Sequence, residues 1–208
     1  MREVCVISNL SSADQLNSVR RRSMGTSVLA CEDGGMTMVV SGKKIFLGSS
    51  QVVVIPYDKE VSAVKLSSSA RVSALVVSNL YMLRFIPAFG STVLGIYREL
   101  SLKPVRVSTC GVLCSLIQCI DEWAASGMGD ATFIDSTICS MVSALTSDID
   151  QSDIDVGFDC ILMAKFLKLV RTEICRHHDV AWYSHQLGVS SKLLSKEIKT
   201  AFSNEAHV

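Results

Sequence analysis

The chain has 208 residues, 49% of them hydrophobic and 19% charged, and its 20 basic and 20 acidic side chains cancel to zero net charge. That composition excludes a disordered chain, which is poor in hydrophobic residues and strongly charged, and it gives no global basicity that would by itself nominate nucleic acid as a partner. The apolar runs are short and broken by Arg84, Pro56 or Pro87, so no membrane span is expected.

The amino terminus has no long apolar stretch after its basic residue and no small-residue cleavage site, which predicts a cytoplasmic protein. Arg20, Arg21 and Arg22, just ahead of Gly25, read as a solvated loop. Strand chemistry follows. Residues 27–31, 36–40, 44–47, 51–55 and 61–66 are short β-rich runs punctuated by Gly34-Gly35, Ser41-Gly42, Gly48-Ser49 and Pro56-Tyr57-Asp58. A further run at 72–78 continues the pattern, and 79–85 starts a short helix that ends ahead of Pro87. Repeated hairpins of this kind predict an antiparallel β-sandwich or small barrel.

The period then changes. Val112, Leu113, Leu116, Ile117, Ile120 and Trp123 recur at helical spacing over 109–125, with Ser108 or Thr109 placed to cap. Phe133, Ile138, Met141, Val142 and Leu145 mark a second helix, and Phe158 to Val170 a third that runs toward Cys175. Strands followed by helices give an α+β chain. Its expected organisation is a β-rich domain at 1–104, a helical region at 105–150 and a further helical segment at 151–208. Residues 148–159 carry five aspartates and no basic residue, and they form a second candidate boundary.

The ending carries the functional signal. Val180, Tyr183, Ser184 and Leu187 put an apolar or small face on a short first helix, Gly188 supplies a turn, and Val189 packs beneath it. Ser190 stands as the N-cap of a second helix with Leu194 and Ile198 as its buried stripe. Ser191, Lys192, Ser195, Lys196 and Lys199 lie on the opposite face, so Ser190, Ser191, Lys192, Ser195, Lys196 and Lys199 are the candidate DNA-binding residues. Lysines neutralise phosphates or donate to guanine acceptors, and small hydroxyls allow close approach to bases or backbone. The alternative for these lysines is an ordinary solvated helix.

Leu187, Gly188, Val189, Ser190, Leu194, Ser195, Lys196, Ile198 and Lys199 form a string that resembles the first helix-turn-helix of the AraC/XylS transcription regulators. Residues 166–170 and 180–183 are similar to that family's scaffold helix and to its approach to the motif. The β-rich part matches its cupin-like sensing domain in layout. Ser184 stands where the family usually has alanine, and family members carry two such units, of which this chain holds the first. The resemblance implies a DNA-binding regulator that acts as a homodimer, with sensing and dimerisation in 1–104, dimerisation or linkage in 105–150 and DNA binding in 151–208, and with a small-molecule effector that no polar cluster identifies. A reading from another class is a shortened regulator that works as a protein-interaction module and titrates a full-length partner.

Enzyme signatures are missing: the sequence has no Gly-rich phosphate loop ending in Lys-Ser/Thr, no GxSxG elbow and no HExxH helix, so a non-enzyme without cofactor is expected. All four histidines (His177, His178, His185, His207) lie beyond the β part, which leaves a cupin-type metal site without ligands; His177 and His178 read as a helix end. The eight cysteines form no CxxC pair and most sit among apolar neighbours. Cys110 and Cys114 share a helix face, where a redox or metal-binding pair competes with plain core packing, the preferred account.

Overall fold

The computed structural model describes residues 3–82, 84–127, 131–149 and 158–202. In chain order these form β1 (Val4–Ile7), α1 (Ala13–Ser23), β2 (Gly25–Asp33), β3 (Gly35–Val40), β4 (Lys43–Gly48), β5 (Gln51–Ile55), β6 (Val61–Leu66) and β7 (Arg71–Ser78). Helices α2 (Asn79–Met82), α3 (Ile86–Phe89) and α4 (Ser91–Leu100) follow, then the two-residue strand β8 (Val105–Arg106). The remainder is helical: α5 (Cys110–Ala125), α6 (Ala131–Asp148), α7 (Phe158–Glu173), α8 (Val180–Leu187) and α9 (Ser191–Phe202). The chain divides into two compact units, one of Met1–Met82 with Ile96–Ile154 and the other of Leu83–Gly95 with Asp155–Val208.

The α+β class expected from the sequence is the class observed. In the first unit, antiparallel pairing builds one sheet in the order β1-β7-β2-β5-β8 and a second in the order β4-β3-β6. Alternation decides which side chains meet between them. Leu29, Cys31, Val53, Ile55, Ala74 and Val76 from the larger sheet join Met36, Met38, Val40, Ile45, Leu47 and Val61 from the smaller in one buried core. The β3–β4 hairpin turns on Ser41 and Gly42 alone, both at positive φ, the backbone that a two-residue turn of matching twist demands. The other face of the large sheet is apolar as well, with Ala30, Val52, Val54, Leu75 and Val77 buried, and α5 lies against β1, β2 and β7.

Three local expectations are corrected. Arg20, Arg21 and Arg22 belong to helix α1, which Ser12 caps by accepting the Gln15 amide at 3.1 Å; Arg20 is 4% exposed. Its guanidinium donates to the carbonyls of Lys59 at 2.7 Å, Pro56 at 2.5 Å and Tyr57 at 3.1 Å, and three such acceptors outweigh the solvation a loop would offer. The helix read over 79–85 ends at Met82, and α3 begins at Ile86 with Pro87 in its first turn, where a missing amide costs nothing. Thr109 occupies the N-cap position of α5 without capping it: its hydroxyl and amide turn to the Asp148 carboxylate at 2.5 and 2.6 Å, and Ser108 joins them. Helix α7 runs to Glu173, toward Cys175 as read, and of the cysteines Cys119 and Cys175 are the exposed ones. The acidic run at 150–157 lies outside the described residues.

Candidate nucleic-acid interface

In the second unit, helix α8 starts at Asp179, whose carboxylate accepts the Ala181 amide at 3.0 Å, and it ends at Gly188 with φ 67°. A β-carbon at Gly188 would meet no atom within 4 Å, so its requirement for glycine is conformational: the left-handed backbone lets the Val189 amide reach back to Ser184 at 3.0 Å. Ser190 then caps α9, accepting the Leu193 amide on its hydroxyl at 3.2 Å and the Leu194 amide on its carbonyl at 3.0 Å. Helix, glycine turn and second helix thus fall where the residue spacing puts them.

One apolar cluster holds the two helices. Tyr183 from α8, Leu194 from α9 and Leu162 from α7 are buried together, with Phe166, Leu187, Val189 and Ile198 packed around them. Phe166 meets the Tyr183 ring edge-on at 5.6 Å, and the Tyr183 hydroxyl donates to the His177 carbonyl at 2.8 Å. Burial, aided by nearby Glu173, holds the Tyr183 phenol above its ordinary value. Val180, expected on the packed face, is the first residue of α8 and is 37% exposed. His177 stands at the end of α7 as read, its amide donating to the Glu173 carbonyl at 2.9 Å, while its ring stacks on Trp182 at 3.9 Å and 7°, a contact with no sequence signal.

The candidate residues separate into two groups. Lys192, Lys196 and Lys199 are exposed and recur at i, i+4 and i+7, so they lie within one narrow stripe about 10 Å long on the side of α9 away from Leu194. Lys196 has Glu197 at 3.6 Å. Ser190 caps, Ser195 is half-buried, and Ser191 turns its hydroxyl to Ser184 of α8 at 2.7 Å rather than to the lysine face. Ser184 also donates to the Ala181 carbonyl at 2.9 Å, which accounts for a hydroxyl at a position buried to 4%. Among the described residues no group of three or more His, Cys, Asp or Glu side chains is arranged to hold a metal ion, and no described helix is long and apolar enough to cross a membrane.

No protein-family model matches the sequence, and no curated protein matches it. Among solved structures, the chain is similar to the AraC-like transcriptional activator CuxR, with 11% identity over 88% of this chain and 62% of that one and a TM-score of 0.43. It is also similar to unsaturated fatty acid-bound wild-type ToxT from Vibrio cholerae strain SCE256, at 16% identity over 95% of this chain and 72% of that one, TM-score 0.38. ToxT from Vibrio cholerae O395 stands at 15% identity over the same shares, TM-score 0.34. The chain thus spans under two thirds of the length of CuxR.

Proposed function

We propose that this chain is a cytoplasmic, sequence-specific DNA-binding transcription regulator of the AraC type, with α9 as the helix that enters a major groove. The observation that carries the reading is the capped α8–turn–α9 unit with its three lysines on one exposed stripe opposite a buried Leu194. An α-helix fits the roughly 12 Å wide major groove, and lysines along its outer face reach phosphates on the groove walls. In this reading residues 1–104 sense a signal or pair two copies, 105–150 link, and 151–208 bind DNA.

The test is binding to mixed-sequence duplex DNA titrated with salt, followed by selection from a randomised duplex pool. Each phosphate neutralised contributes about −0.9 to the slope of log affinity on log salt, so three lysines give roughly −2.7. Replacing Lys192 and Lys196 with alanine lowers that slope by roughly 1.8. A slope near zero that the double substitution leaves unchanged overturns direct DNA binding, and it leaves the interaction-module reading to be tested by the chain's oligomeric state.

A further inference from the structure

The first unit carries a second feature, at the rim of the sandwich, that the α9 reading does not use. Gly35 and Gly48 stand opposite each other in the β3–β4 ladder, and the Phe46 ring lies across both. A β-carbon would come within 2.9 Å of that ring on Gly35 and within 3.2 Å on Gly48, so a larger residue at either position would displace it. Seated there, Phe46 is still 62% exposed. Gln51 adjoins the same glycine: its side-chain oxygen accepts the Gly48 amide at 2.7 Å, which leaves the amide nitrogen without a partner among the described residues. Gln51 faces Arg106 in the β5–β8 ladder, so the two side chains rise from one side of the sheet with β-carbons about 5 Å apart. Arg106 is exposed, and its guanidinium has no ion pair among the described residues.

Phe46, Gln51 and Arg106 line one open cavity of about 440 Å³, whose wall Ser49 and Pro104 help to complete, and none of its lining residues is acidic. We propose that this cavity is a binding site for planar aromatic anions, an aromatic ring that bears a carboxylate or a phosphate. The ring stacks on the free face of Phe46, where an offset aromatic pair gains more than the area it covers. The anionic group accepts from the Arg106 guanidinium, whose planar fork matches two oxygens at once, and from the Gln51 amide nitrogen.

Each half of such a ligand answers a side chain that the packing does not use. The core between the sheets is built without Phe46, whose ring covers only the two glycines. Water satisfies the guanidinium and the amide nitrogen until an anion displaces it, and with no acidic residue in the lining that anion comes from outside the cavity. A ligand of about a dozen heavy atoms in an open site binds at roughly millimolar strength. Binding here depends on the first unit alone, whether or not α9 binds DNA.

The experiment titrates the full chain with naphthoate, its saturated analogue decahydronaphthoate, the uncharged naphthalenemethanol and adenosine monophosphate, each followed by ligand-observed NMR. Naphthoate is expected to bind at about 1 mM, and the saturated and uncharged analogues about tenfold more weakly, for want of the stack or of the charge-assisted bonds. Arg106→Gln and Phe46→Leu each weaken naphthoate by about tenfold as well. Tighter binding of adenosine monophosphate than of naphthoate assigns a phosphate to the site, and the reverse a carboxylate. The proposal is overturned if neither anion binds below about 10 mM, if either analogue matches naphthoate, or if either substitution leaves the tighter anion's affinity unchanged. Since the ligand comparison uses the unsubstituted chain, it stands whether or not Phe46→Leu folds.

Discussion

Replacing Arg20 with alanine removes three charge-assisted hydrogen bonds to the β5–β6 loop at a site that is 4% exposed. Hydrogen bonds to charged groups contribute about 1.5–3 kcal/mol each, so three make roughly 4–9 kcal/mol before offsets. Two effects reduce that sum. Burial disfavours the guanidinium, as the direction of its pKa shift shows, and Pro56, Tyr57 and Lys59 are themselves half-exposed residues, so water replaces part of what is lost. A net destabilisation of about 3 kcal/mol is expected, a large share of the stability of a typical domain. Arg20→Lys restores less than half, because a single ammonium on a flexible stem cannot fork to three carbonyls. The assay is urea unfolding followed by the emission of Trp123, with Trp182→Phe introduced so that only the first unit reports. A change in midpoint at constant slope is the expected form. A loss below about 1 kcal/mol for Arg20→Ala refutes the reasoning, since it would mean that the carbonyls find water at no cost.

Leu194→Ala empties a fully buried position in the cluster behind α9 and costs about 2–5 kcal/mol in the unfolding of the second unit, read from Trp182 in a Trp123→Phe chain. DNA binding falls with it although every lysine remains, and an unchanged midpoint would show that the cluster does not hold α9. For Asp148, burial raises the carboxyl, but hydrogen bonds from Ser108 and Thr109 outweigh it and hold the pKa below 3.8. A lowered folded-state value contributes stability that is present above the unfolded value and lost as pH falls through the folded one. Protection of the Thr109 amide should therefore persist at neutral pH and fall away below about pH 4, and Asp148→Asn should abolish that pH step. A step at higher pH would mean that the clasp does not depend on Asp148.

What the sequence revealed follows from what local pattern encodes. The runs 36–40, 44–47, 51–55 and 61–66 alternate or cluster apolar residues between Gly, Ser and Pro punctuation, and each became a strand with bounds shifted by a residue at most. The α8–turn–α9 unit was legible because a glycine, a capping serine and a leucine stripe stand at fixed offsets. Helix α1 was not, since its cap Ser12 precedes a segment with Leu16 and Val19 as its large apolar residues, and three arginines dominate its composition. Its burial depends on carbonyls 36 to 39 positions further along the chain, which no local window contains. The same distance hid Cys31 from Cys110, a contact made across 79 residues by the sheet. Ser191 misled for another reason: helical spacing placed it on a face, but a hydroxyl on the neighbouring helix decided where it pointed.

The bond between Ser184 and Ser191 has a thermodynamic corollary. With Ser190 already capping α9 and Ser191 already pinned to α8, the conformational entropy of that helix is spent during folding, before any partner arrives. A recognition element ordered in advance associates without the large negative heat-capacity change that accompanies folding on a target. On the proposed reading of α9 as the DNA-contacting helix, its binding heat would therefore reflect the surface it covers and the ions it displaces, and very little of its own assembly.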